Sequence, residues 1–220
     1  MLVRPADRPQ SDDEWKSFLR THDFGQFIAP GSGRRLPVVV PTHFVYRGGD
    51  EVLFHLARPN PVWPALEESP HGLLTVVGAY TYVTAEMNTG PEDRPEYGVP
   101  TSYYAAIQLG GRAEVVDDPA ALAELLEVQL EHFEPDRSGP RVAVDNPYGK
   151  MLPAIRGVRF RFDEVRAKFK FGSNRRPEHR RAIAAALAAR GRDLDSEASA
   201  IQLRRLDDGR SGRDARTMPP

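Results

Sequence analysis

Residues 35–63 read "RLPVVVPTHFVYRGGDEVLFHLARPNPVW". Two apolar, β-branched runs flank Gly48 and Gly49, and a Gly-Gly pair between strand-forming runs predicts a hairpin turn. The second run alternates, placing Phe54 and Leu56 on one face and Leu53, His55 and Ala57 on the other. Asn60 followed by Pro61 supplies an N-cap and a proline at the first helical position, so "PVWPALEES" is expected to be a short helix. The stretch is therefore strand, turn, strand and helix, with His55, Arg58 and Asn60 gathered at the last junction.

Upstream, "SDDEW" offers Ser11 as N-cap with Glu14 three residues on, a capping box before a helix that carries Trp15, Phe18 and Leu19 and ends near His22. "FGQFIAP" adds a strand. Downstream, residues 73–85 and 101–116 are long strand candidates separated by a Pro/Gly/Glu-rich loop, and Gly110 and Gly111 mark a bulge or bend. "DDPAALAELLEVQLEHFE" is a helix, with Pro119 in its first turn and Leu122, Leu125, Leu126 and Leu130 on one face. "NPYGKMLPAI" opens with another Asn-Pro cap, "GVRFRFDEV" alternates as a strand, and a last helix is expected from about Pro177 to Arg190, stopped by Gly191. The polar, mixed-charge end predicts a single domain over residues 1–203 and a disordered tail over 204–220. About six strands with helices in the connections define an α+β chain built on a β-barrel or strongly curled sheet.

The chain has 220 residues, with 30 Lys+Arg against 31 Asp+Glu and a net charge of -1. There is no global electrostatic case for a polyanion, and an anion site must be local. Cysteine is absent, which excludes disulfides, thiolate metal sites and thiol nucleophiles and suits a cytoplasmic setting. No apolar run approaches the length of a membrane span, and "MLVRPADRPQSDDEW" lacks a signal-peptide core.

Two local sites favour anions. At the 58–61 junction a helix N-terminus supplies free N–H groups, and Arg58 a bidentate fork for phosphate. The competing reading is that Asn60 only caps its helix while Arg58 is solvated. His55 is either a structural or surface residue or a contact to a cofactor or metal. The second site is "KFKFGSNRR", where Lys168 and Lys170 share one face and Phe169 and Phe171 the other, followed by Ser173, Asn174 and Arg175. Its alternative is a basic edge strand protected against pairing. From Arg166 to Arg192 nine Lys/Arg stand against Glu178 alone, a patch able to touch DNA, although "RRAIAAALAAR" also offers an apolar face for packing. The histidines at 22, 43, 55, 71, 132 and 179 have no metal-ligand spacing, and no P-loop, Gly-X-Ser-X-Gly or Gly-X-Gly-X-X-Gly motif occurs.

"VPTHFVY", "HLARPNPVW", "VPTSYYAAIQLGGRAEVVDD" and "KFKFGSNR", in this order, resemble the PaiB-type FMN-binding negative transcriptional regulators of the flavin split-barrel group, over roughly residues 12 to 190. The resemblance implies a six-stranded split barrel that forms a homodimer and holds FMN at the subunit interface. By position, Arg58 and Asn60 would hold the flavin phosphate and His55 line the pocket. Lys168, Lys170, Asn174 and Arg175 would close it from the partner, and Thr42 and His43 would approach the ring system. Such a protein is expected to act as a regulator and, through the flavin, as an oxidoreductase.

The chain departs from the family pattern where "PTSYY" replaces Pro-Thr-Trp-Asn-Tyr, putting Ser102 for tryptophan and Tyr103 for asparagine. Gly172 and Ser173 stand where serine and glutamine are usual, and "GAYTYVTAEMN" keeps Gly78 and Tyr82 but loses a histidine and a tryptophan. A related branch, the piperazate synthases, uses haem and forms an N–N bond. By that resemblance His55 would be the axial ligand and Ser102, Tyr103 and Glu86 substrate contacts. A cofactor-free regulator that binds DNA through its basic C-terminal segment is the third expectation.

Overall fold

The computed structural model describes residues 1–90 and 94–214. In chain order the elements are α1 (Asp12–Thr21), β1 (Phe24–Ala29), β2 (Val38–His43), β3 (Glu51–Ala57), α2 (Val62–Glu68), β4 (His71–Val83), β5 (Thr101–Val116), α3 (Pro119–Phe133), β6 (Ile155–Lys170), α4 (Pro177–Arg190) and α5 (Asp195–Asp214). The six strands form one sheet in the order β2-β1-β4-β5-β6-β3. Pairing is antiparallel where β1 meets β2 and β4, and where β3 meets β6. The result is the α+β chain with a strongly curled six-stranded sheet expected from the strand count, and it has the split-barrel form that the resemblance implies.

The chain divides into two compact units. The first contains Lys16–Val76 and Gln108–Val165. Its core is the aromatic group Phe27, Phe54 and Phe160, all fully buried, with ring centroids 5.0 and 5.3 Å from Phe27. These residues face inward because each strand alternates, as the pattern of β3 shows. The Gly-Gly turn adopts the left-handed backbone expected of it, with φ of 113° at Gly48 and 73° at Gly49. The hairpin itself is reduced to one bridge, in which Val45 and Leu53 exchange hydrogen bonds of 2.8 and 3.0 Å. The edges of β2 and β3 otherwise pair elsewhere, because β3 is the partner of β6 over seven residues. A second cluster seats α3, where Leu122 and Leu125 meet Val116, Val142 and Leu152. Gly157 makes that approach possible, since a Cβ there would stand 2.9 Å from Leu125 Cδ1. The Asp118 side chain caps α3 by accepting from Ala121 N, and Asn60 accepts from Val62 N at 3.0 Å at the start of α2.

The second unit contains Met1–Trp15, Val77–Ile107 and the residues from Arg166 onward. The apolar face of α4 is used for packing: Ile183, Ala184 and Leu187 are buried, as are Ala198 and Ile201 on α5. Gly191 ends α4 in the left-handed conformation at φ 61°. Helix α5 was not expected from a sequence containing Gly209 and Gly212, and the boundary drawn after Leu203 falls inside it. What holds it is tertiary. Asp195, 1% exposed, accepts from Thr81 Oγ1, Arg190 Nε and Nη2, and Arg192 N. Further along, Arg205 donates to both carboxylate oxygens of Glu14 at 2.5 Å. Residues 215–220 of the expected tail lie outside the described residues.

Asp195→Asn leaves the half-buried Arg190 beside a neutral amide, and losing a charge-assisted hydrogen-bond partner of this kind costs about 1.5–3 kcal/mol. Chemical denaturation should show a loss on that scale, against a change below about 0.5 kcal/mol for a surface control such as Asp13→Asn.

Candidate functional site

The expected site residues fall into two groups, one in each unit. In the first unit, His43 ends β2 and His55 lies in β3, and their rings meet edge to face at 5.3 Å. Phe133 of α3 stacks on His43 at 5.1 Å. His55 Nδ1 stands 2.6 Å from Gln129 Oε1, an acceptor for Nδ1 when that nitrogen carries a proton. Burial, reinforced by the charge of His55, holds the His43 imidazole below its ordinary value, and Asp23 opposes this. The Thr42 hydroxyl turns back to donate to the carbonyl of His43.

Arg58 is committed to its own chain. Its Nε donates to Pro153 O at 2.6 Å and Nη2 to Ile155 O at 3.1 Å, while Nη1 pairs with Asp117 at 3.4 Å. Asp117 is also gripped by Arg156 at 2.8 and 2.5 Å, which holds its carboxyl below the usual range. The Asn60 side chain is the helix cap described above. The junction therefore brings Arg58 and Asn60 together as a structural clasp between α2 and the start of β6.

The second group shares a cavity. Lys168, Lys170, Asn174 and Arg175 line a space of about 630 Å³ together with Arg4, Asp7, Thr101 and Tyr103. Strand alternation puts Phe169 and Phe171 into the core and turns the two lysines out. Lys168 donates to Leu2 O at 3.0 Å and stands 3.8 Å from Asp7. Lys170 donates to Thr101 Oγ1 at 2.7 Å. Both ammonium groups sit over the Tyr104 ring, at 5.5 and 6.0 Å, a favourable placement for a cation. Four cationic side chains thus line the cavity against the single acid Asp7.

Tyr103 is the residue whose importance the sequence understated. It is 2% exposed, packs edge to face on Phe171, and its hydroxyl closes no hydrogen bond of proper geometry. Burial pushes its phenol up, so it remains a neutral donor. Its room is made by Gly172, at φ 66°, where a Cβ would stand 2.2 Å from the hydroxyl oxygen. Gly172 therefore leaves the space that the Tyr103 hydroxyl fills. The N-terminal strap carrying Arg4 and Asp7 was also missed, because nothing local in "MLVRPAD" points to a cavity 160 residues away.

A split barrel with a basic, aromatic-floored cavity belongs to the class of cofactor-binding barrels. Residues 1–164 match the family described as "Putative FMN-binding domain", and the chain belongs to that family. Among solved structures it is similar to the flavocytochrome Anf3 from Azotobacter vinelandii, at 24% identity and a TM-score of 0.57, covering 74% of this chain and 69% of that one. It is equally similar to the FAD and heme binding protein from Mycobacterium smegmatis, at 24% identity and 0.57, covering 74% and 73%. The conserved hypothetical protein Rv2991 from Mycobacterium tuberculosis follows at 16% and 0.54, covering 77% and 91%. These likenesses establish the shared fold. A search of curated proteins finds no match. Among the described residues no helix is long and apolar enough to cross a membrane, and no cluster of three or more metal-ligating side chains occurs.

The unfolded chain binds the His43 proton more readily than the folded one. Stability is therefore unaffected above the ordinary value of 6.5 and declines as the pH falls below it. Melting temperatures between about pH 5 and 7.5 should show this decline, diminished in His43→Gln.

Proposed function

We propose that the protein is an FMN-binding split-barrel protein of the PaiB regulator type, a homodimer whose flavin supplies oxidoreductase chemistry. The observation that carries this reading is the cavity where Lys168, Lys170, Asn174 and Arg175 converge beside the buried phenol of Tyr103. These residues fit an anionic, planar cofactor: the cations suit a phosphate, and the Tyr103 hydroxyl suits an acceptor atom of a ligand lying against Gly172. When bound, FMN supplies hydride and electron transfer, while the chain's own residues hold the phosphate and orient the ring. Arg58 and Asn60 enter the proposal as supports of the barrel junction, since their polar groups are already engaged. Thr42 and His43 remain candidates for the ring side, offered across a dimer interface.

One observation favours a second reading, in which haem takes the site at His55. Gln129 Oε1 lies 2.6 Å from His55 Nδ1, and metal-binding histidines are commonly oriented by an acceptor on their second nitrogen. The half-exposed pair His43 and His55 would then face the iron from the protein side.

An absorption spectrum of the purified protein, followed by titration with FMN and then haemin, separates the two. FMN should bind with shifted flavin bands, and Lys170→Ala should weaken it by about 1.5–3 kcal/mol, the worth of a charge-assisted hydrogen bond. Unchanged affinity in that variant removes the proposal. A Soret band lost in His55→Ala would establish the haem reading instead, and light scattering on the loaded protein tests the dimer.

A further inference from the structure

The loop from Gly172 to Arg175 walls a second cavity on its other side. This space of about 310 Å³ is lined by Pro5, Arg8, Gln10, Ser173, Arg180 and Arg205, near the lower limit for ligand sites. Arg180 is 6% exposed and Arg205 3%, yet among the described residues the only carboxylate bound by either is Glu14, which Arg205 takes through both oxygens. Arg180 makes one side-chain bond, from Nη2 to Gln202 O at 3.2 Å, and no ion pair among the described residues. The Nε of each arginine and the Oγ of Ser173 are buried with no hydrogen-bond partner.

Burying a guanidinium without an acid is expensive. Desolvation and the nearby Arg205 both push Arg180 below the ordinary arginine range. Two arginines and a hydroxyl, all donors, therefore line one cavity, and among the described residues the charge of Arg180 is not neutralised. Planar guanidinium donors with a hydroxyl match the oxygens of a phosphoryl group. We propose that this cavity binds a phosphate-type oxyanion, free or carried on a nucleotide, through Arg180, Arg205 and Ser173. Ser173, Arg180 and Arg205 line this cavity and not the one assigned to the flavin, so the proposal stands or falls without the flavin reading.

Calorimetric titration of the full chain with inorganic phosphate, at ionic strength matched with chloride, tests it. Binding should be saturable in the unaltered protein and in Lys170→Ala, weakened by about tenfold or more in Arg180→Met, and weakened severalfold in Ser173→Ala. Because Arg180 carries an unneutralised charge, Arg180→Met should melt above the unaltered protein without phosphate and gain nothing from adding it. AMP that competes at lower concentration than phosphate assigns the group to a nucleotide; weaker competition assigns the free anion. The proposal is overturned if the unaltered protein shows no saturable binding, if Arg180→Met binds as before, or if binding is lost in Lys170→Ala instead. A phosphate-free Arg180→Met that melts lower would make Arg180 a structural residue and overturn it as well, and should that variant fail to fold, full retention of affinity in Ser173→Ala decides against the site.

Discussion

The exchange of two hydrogen bonds between Val45 and Leu53 is the constraint on which the first unit turns. In the sheet order β2 and β3 are the two outermost strands, and an open sheet would leave both edges free to pair with other chains. One bridge beyond the end of β2 ties these edges together, and the left-handed glycines at 48 and 49 allow so tight a return. The inward residues then have a closed volume to fill, which Phe27, Phe54 and Phe160 occupy. The same closure brings His43 beside His55, because His43 ends β2 just before the bridge and His55 follows Leu53 by two residues in β3.

Electrostatics divides the two groups of basic residues. Arg58 was attractive as a phosphate ligand because it precedes a capped helix, but backbone carbonyls at Pro153 and Ile155 and the carboxylate of Asp117 satisfy it. Among the described residues no acid pairs with Lys170 or Arg175, and Asp7 is the acid that lines their cavity. A cation with good partners in its own chain stabilises the fold, whereas a surplus left in a concave site is available to a ligand. Contact lists, more than sequence position, distinguish these two roles.

Much of this architecture is legible from local pattern. Strand β5 coincides with the alternating run at 101–116, α3 with its leucine stripe, and the stop at Gly191 with its left-handed backbone. The failures come where distant residues decide. Helix α5 contains poor helix formers, and its order depends on Glu14 and Thr81, residues far from it in sequence. The hairpin at 48–49 was read with the right turn and the wrong partner, since turn chemistry is local while the pairing of β3 with β6 is not. The lysines of the cavity were visible through alternation. The fate of Arg58 was not, because a carbonyl acceptor 95 residues away leaves no mark on the sequence near it.

The bond from Arg205 to Glu14 joins residues 191 positions apart, and this has a bearing on how the protein is made. The unit containing the cation-rich cavities draws on the first, middle and last parts of the chain. By contrast, the unit built on the Val45–Leu53 bridge has all its residues once Val165 has been synthesised. Long-range contacts form late, because the chain must close large loops before they are rewarded. During synthesis the aromatic core can therefore consolidate first, while the cavity between Ser173 and Arg205 awaits helix α5. Its arginines come together only after the barrel unit has all its residues, so a ligand that bridges them meets a chain whose aromatic core can already be folded.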